Sequence, residues 1–198
     1  VYKRQAYGDW EGAKKYAARN VELLSSYVEQ GYSIVSIEPT ATYTLKNIYP
    51  YLLKDDGRAE ALAKNTLEAL QVLRGLVSEG LLTVRARFKK RYGIHVPCHQ
   101  RPLSGVENVL ALMREAGLEA VVTEDGMCCG MGGTFGLKRG PIGRELSKAM
   151  GARLFEFFNS GGVETIVTES SVCAIHLAEG ANVEVFHPLD ILCFEKPS

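Results

Sequence analysis

Two stretches of this chain can be written one above the other without a gap. Ser33–Leu45 reads SIVSIEPTATYTL and Thr165–Leu177 reads TIVTESSVCAIHL; Ile34-Val35-Ser36 falls on Ile166-Val167-Thr168, and Leu45 falls on Leu177. Short β-branched runs of this kind are poor helix formers and suit strands buried on both faces. Each copy follows an amphipathic segment of helix length and a glycine turn, so a strand–loop–helix unit is used twice. In this register Glu38 stands opposite Ser170 and Ala41 opposite Cys173.

The same alternation runs along the whole chain. Asp9 is a helix N-cap, and the apolar residues after it (Trp10, Ala13, Tyr16, Ala17, Val21, Leu24) recur at helical spacing until Gly31. Further helices are predicted over 40–53, 57–77, 103–116 and 143–159, with a short one over 173–178 and a last turn that starts at Pro188 under a His187 cap. Strands are predicted over 33–37, 93–96, 120–123, 165–168 and 183–186. Strands that alternate with helices imply an α/β fold with a small, mostly parallel sheet. In such sheets the ligand site lies beyond the carboxyl ends of the strands. Pro97-Cys98, Cys128-Cys129 and Ser170–Cys173 all follow predicted strands, which places three cysteine-bearing loops on one rim.

Charge narrows the partners. Lys plus Arg and Asp plus Glu each total 23, a net charge of zero, so the basic surplus expected of a nucleic-acid binder is missing. The basic run Arg85–Arg91, RARFKKR, reads as a solvated linker between the two repeats, the alternative being a docking patch for an acidic partner or membrane headgroups. No apolar stretch approaches the roughly 20 residues of a membrane-spanning helix, and no signal peptide is visible. The sequence starts at Val1 without an initiator Met, which is the expectation for a piece of a longer chain.

There are five cysteines, at 98, 128, 129, 173 and 193. An odd count with none in the first 97 residues does not resemble a secreted disulfide framework, and clustered cysteines in a reducing compartment read first as metal or redox ligands. Buried thiols acting as small hydrophobes are the alternative, and the apolar run around Cys193 favours it there. Cys128 and Cys129 are neighbours between Gly126 and Gly130, Gly132 and Gly133. Adjacent side chains on an extended strand point to opposite faces, so two neighbouring thiols serve one site only through an unusual loop. Glycine permits that loop and brings backbone N–H groups close to sulfur. Four thiolates from three loops suit either an iron–sulfur cluster or zinc. The string GMGGTFG has neither of the usual phosphate-loop spacings.

The stretch from His95 onward (HVPCHQ, GMCCGMGGTFGLK, VTESSVCAIHL, FHPLDILC) resembles the cysteine-rich CCG domain of the heterodisulfide reductases and their relatives. It is most similar to the type found in the iron–sulfur subunits of anaerobic glycerol-3-phosphate dehydrogenase and glycolate oxidase. Upstream, IVSIEPTATYTLKNIYPYLL looks like the end of a first CCG domain, so residues 1–90 are expected to be the C-terminal part of a degenerate copy and 91–198 a second, complete one. The resemblance implies Cys98, Cys128, Cys129 and Cys173 as cluster ligands. It also shows departures: Ser170 stands at the first position of the Cys-x-x-Cys pair, and Glu38 and Ala41 replace both in the upstream copy. The full family pattern offers five thiolates to a noncubane cluster; the four left here suffice for a [4Fe–4S] centre or for zinc. His99 and His176 lie near the ligands in sequence and read as outer hydrogen-bond donors, with Cys-x-x-His ligation by His176 as the alternative. Lys138 and Arg139 could offset cluster charge or simply face water.

The implied function is that of an electron-transfer subunit without catalytic residues of its own. It would be fed by a flavoprotein dehydrogenase subunit acting on glycerol 3-phosphate or a 2-hydroxy acid, and would discharge toward membrane quinone or a membrane anchor, with no nucleic-acid partner. Its expected place is cytoplasmic, peripheral on the inner face of the membrane. Two rival readings are a degenerate docking module with zinc or no metal, and a disulfide reductase that attacks through Cys128 and Cys129.

Overall fold

The structure, a computed structural model, describes residues 1–123 and 126–197. It divides into two compact units, Val1–Val72 and Leu73–Ser198. The first contains α1 (Tyr2–Ala6), α2 (Trp10–Glu29), β1 (Ile34–Ser36), α3 (Pro39–Tyr43), a π-helical turn (Thr44–Ile48), α4 (Tyr49–Leu52), α5 (Gly57–Lys64) and β2 (Thr66–Glu68). Asp9 caps α2 as expected, accepting a hydrogen bond from the Gly12 N–H at 2.9 Å. The apolar stripe of α2 buries Ala17 and Val21 against Tyr49, Leu53, Ala59 and Leu62. The single helix expected over 57–77 is two helices with a strand between them. Thr66–Glu68 pairs in parallel with β1, and the fully buried Thr66 sits opposite Ile34. Pairing with a distant strand overrides local helix propensity at this point.

Helix α6 (Ala69–Ser78) leads into the second unit, which contains β3 (Thr83–Ala86), β4 (Tyr92–Ile94), α7 (Glu107–Glu115), β5 (Ala120–Val122), α8 (Leu146–Ser160), β6 (Thr165–Val167), α9 (Ser171–Gly180), β7 (Glu184–Phe186), α10 (Pro188–Ile191) and β8 (Leu192–Glu195). Four of its strands form a parallel sheet in the order β5-β4-β6-β7. The α/β fold with a small parallel sheet is as the sequence pattern predicts. Strands β3 and β8 form a separate antiparallel pair that the pattern does not reveal. The basic run is therefore no bare linker: Arg85 lies in β3 and pairs with Glu195, Lys90 reaches Glu184 at 2.6 Å, and Arg91 reaches Glu164 at 3.6 Å.

The repeat register holds in the backbone. Glu38 is the N-cap of α3 at φ −119°, ψ 118°, and Ser170 is the N-cap of α9 at φ −101°, ψ 120°. Two residues paired on paper thus occupy the same place at the strand-to-helix turn of each unit.

Sheet order positions the site. From β4 the chain goes to β5 on one side and then returns past β4 to β6 and β7 on the other. Parallel crossovers are right-handed, so α7 lies on one face of the sheet and α8 and α9 on the opposite face. The loops after β4 and β6 therefore diverge, and the crevice at their carboxyl ends is the switch point where such sheets take ligands.

Candidate metal centre

Three loops reach this rim from three neighbouring strands. The loop after β4 carries His95 and Cys98, the loop after β5 carries Cys128 and Cys129, and the turn after β6 leads to Cys173 in the first turn of α9. The first of these is fixed by an extension of the ladder, since the His95 N–H donates to the Val167 carbonyl at 2.9 Å. Gln100, buried in the same loop, donates to the buried Glu169 between β6 and α9. The β4 and β6 loops are thus tied to each other beside the switch point.

The Cys-Cys loop is shaped by its glycine and by two helices. Gly130 has φ +83°, and a Cβ there would strike the Ser147 carbonyl and the Gly151 nitrogen of α8, so glycine is required twice over. The turn aims the Gly130 N–H at the Cys128 sulfur, 3.3 Å away, as the glycine-rich sequence suggests. From α8, Ser147 donates to the Gly130 carbonyl at 2.8 Å; from α9, His176 Nδ1 contacts the Cys129 carbonyl at 2.6 Å. His176 also packs edge-on against Phe155. It is a buried clamp on the loop and is not among the donors that converge. His187 performs the capping role expected of it at α10.

Of the predicted ligands, Cys129 and Cys173 are brought together most closely. Both are buried among Met127, Met131, Phe155, Ile166 and Leu177, and their sulfurs are 3.1 Å apart. Cys128 is half-buried, Cys98 is exposed at the rim, and Cys193 lies in β8 opposite Arg85. Sequence reasoning passed over one residue: His95 has a donor atom within 4.8 Å of both the Cys129 and the Cys173 sulfur. Its only signal in the sequence is a histidine directly after a buried strand and three residues before Cys98. Cys98 and Cys128 fall outside that tight trio.

The electrostatics suit a metal better than a nucleophile. The Cys128 thiol is raised well above its ordinary range, first by its hydrogen bond to Cys129 and then by burial. The bond with Cys128 pulls the Cys129 thiol down, but the bond to Cys173 and burial outweigh it, and the thiol is pushed up to about 12. Cover over the Cys98 sulfur and the Cys128 charge raise that thiol as well. Such thiols stay protonated at neutral pH and attack disulfides slowly, which weighs against disulfide reduction by the vicinal pair. A soft cation that displaces their protons turns the same crowding into attraction. Burial pushes His95 down to about 4, against the Cys128 charge and helped by Arg101, so its ring is neutral at pH 7. Clustered buried thiols beside a neutral imidazole whose nitrogens have no hydrogen-bond partner form a donor set that fits iron–sulfur or zinc.

Residues 92–178 match the family described as CCG, cysteine-rich domain. The matched stretch runs from β4 through most of α9 and includes Cys98, Cys128, Cys129 and Cys173. Over 189 residues the chain is 29% identical to a subunit of the anaerobic glycerol-3-phosphate dehydrogenase of Escherichia coli K12, a match that covers 94% of this chain and 46% of that protein. It is 28% identical over 182 residues to the glycolate oxidase iron-sulfur subunit of the same organism, covering 89% and 43%. Against lactate utilization protein A of Anoxybacillus flavithermus it is 35% identical over 108 residues, covering 52% and 45%. The chain spans about half the length of these curated relatives. Among the described residues no helix is long and apolar enough to cross a membrane.

Proposed function

We propose that this chain is an iron–sulfur electron-transfer subunit of an oxidoreductase complex. The observation that carries the reading is the convergence of three cysteine-bearing loops from adjacent parallel strands, with Cys129 and Cys173 buried 3.1 Å apart at the switch point. Cys98, Cys128, Cys129 and Cys173 would hold the cluster, taken as [4Fe–4S], which supplies one-electron redox at this rim. The chain's own residues do the rest. Gly130 donates its N–H to the Cys128 sulfur, Ser147 and His176 hold the carbonyls on either side, and Met127, Met131 and Phe155 keep water from the buried thiols. Substrate chemistry belongs, in this reading, to a flavin-containing partner that oxidises glycerol 3-phosphate or a 2-hydroxy acid, the compounds after which the similar proteins are named. Electrons then leave toward membrane quinone or a membrane anchor, with the chain on the cytoplasmic face.

Iron and acid-labile sulfide per chain, measured with a visible spectrum on anaerobically prepared protein, test the reading. About four of each is the expected result for a [4Fe–4S] centre, and Cys128→Ser or Cys129→Ser should remove the visible absorption. A cluster that survives both substitutions would overturn the ligand assignment. A second reading, a docking module built round zinc, is favoured by the size of the tight donor group: His95, Cys129 and Cys173 alone make three of four zinc positions. Colourless protein with one zinc and no sulfide would establish it instead.

A further inference from the structure

His95 is 2% exposed, and it is the one histidine among the described residues with both ring nitrogens buried and without a hydrogen-bond partner. A buried imidazole ordinarily fills both nitrogens, and leaving polar atoms empty costs about 1–3 kcal/mol each. Nothing in sheet packing explains that cost. The residue stands at the end of a central strand, where a Val, Ile or Leu would close the sheet with no polar atom to satisfy. Its backbone position is set by the bond to the Val167 carbonyl, so the ring is held at the switch point. From there one donor atom reaches within 4.8 Å of both the Cys129 and Cys173 sulfurs. A bridging water is a poor answer, because a buried water needs 2–4 good polar partners (roughly three) and the neighbours on this side are thiols.

The same unit contains a comparison. His176 is also buried and its Nε2 likewise has no hydrogen-bond partner, but its Nδ1 is spent on the Cys129 carbonyl, its ring lies against Phe155, and it is not among the donors that converge. One histidine is thus tied to the loop's backbone; the other is free to meet what the sulfurs meet.

We propose that His95 is itself a ligand of the metal centre, bonding through a ring nitrogen in place of one of the two thiolates outside the tight trio, Cys98 or Cys128, so that the site is mixed thiolate and imidazole. The proposal rests on the reading of Cys129 and Cys173 as metal ligands, but not on iron being the metal. Two consequences follow from replacing an anionic donor by a neutral one. The centre carries one negative charge fewer than an all-thiolate site would, and its reduction potential is correspondingly higher, as in other sites where histidine replaces cysteine on iron.

The test uses the full chain with histidine labelled with nitrogen-15. One sample is reconstituted with ferrous iron and sulfide, reduced, and read by electron–nuclear double resonance; a second is loaded with zinc alone and read by X-ray absorption. The expected result is a directly bonded histidine nitrogen in both, retained in His187→Gln and lost in His95→Gln. His95→Cys should keep the iron and sulfide content and lower the reduction potential. Iron-loaded wild-type protein with only weak, distant nitrogen couplings, or an unchanged potential in His95→Cys, overturns the proposal and leaves the electron-transfer reading standing. If wild-type protein takes zinc but no iron or sulfide, the electron-transfer reading falls while the zinc spectrum still decides the ligand: one nitrogen at about 2.0 Å supports His95 and sulfur alone at about 2.3 Å refutes it. Uptake of neither metal refutes both.

Discussion

Gly130 and His95 show how single residues carry this site. At Gly130 two independent constraints coincide, a left-handed backbone and a helix packed where a side chain would be. Gly130→Ala should therefore cost about 2–4 kcal/mol, from backbone strain plus overpacking. Denaturant unfolding of the metal-free protein checks this, with Gly126→Ala, also at positive φ but in open space, losing less. His95 makes the stability of metal-free protein depend on pH. Its folded pKa of about 4 lies below the ordinary 6.5, so between those values the unfolded chain binds the extra proton. Stability from this group is thus full above pH 6.5 and is lost as pH falls toward 4, by up to about 3 kcal/mol. Urea melts of metal-free wild type and His95→Gln across that range should diverge; parallel curves would show that the ring is not buried neutral.

At the scale of elements, α8 and α9 act as clamps on the cysteine loop. Each reaches one carbonyl of it through a side chain that sequence periodicity would class as ordinary: Ser147 on α8 and His176 on α9. Ser147→Ala leaves the Gly130 carbonyl without this donor and should cost about 1–2 kcal/mol, together with a faster loss of metal to a chelator. Stability lowered with chelation unchanged would mean that the bond supports the helix and not the loop. The last helix offers a simpler case. His187 and Asp190 form a reciprocal cap on α10, and His187→Ala should cost about 1 kcal/mol, read as a shift in the thermal midpoint without change in metal content.

Across the whole molecule, the thiols expected to bind metal belong to one compact unit. Cys98, Cys128, Cys129 and Cys173 all lie within Leu73–Ser198, and Val1–Val72 has no cysteine. A chain of residues 69–198, which keeps α6 intact, should fold and take up the same metal per chain as the full protein, and residues 1–68 should take up none. Uptake that needs both pieces would show that the first unit contributes to the centre. Much of this organisation is legible in the sequence. The alternation of elements, the repeat with Glu38 opposite Ser170, the caps Asp9 and His187, and the position of each cysteine loop after a strand can all be read from neighbouring residues. The β3–β8 pair, the break at Thr66 and the part played by His95 cannot.

The division has a physical cause. Helix caps, glycine turns and hydrophobic periods act over a few residues, so their signals lie side by side in the chain and determine element type and loop position. Strand order, burial and donor convergence depend on groups far apart in sequence. Thr66 becomes a strand because Ile34 pairs with it, and Arg85 joins a sheet because Cys193 lies opposite. His95 meets Cys129 and Cys173 because β4 and β6 are neighbours at the point where the sheet reverses its order. By itself the sequence determined that thiols would gather at one rim of a parallel sheet; only the tertiary structure decided which of them meet closely and that an imidazole meets them there.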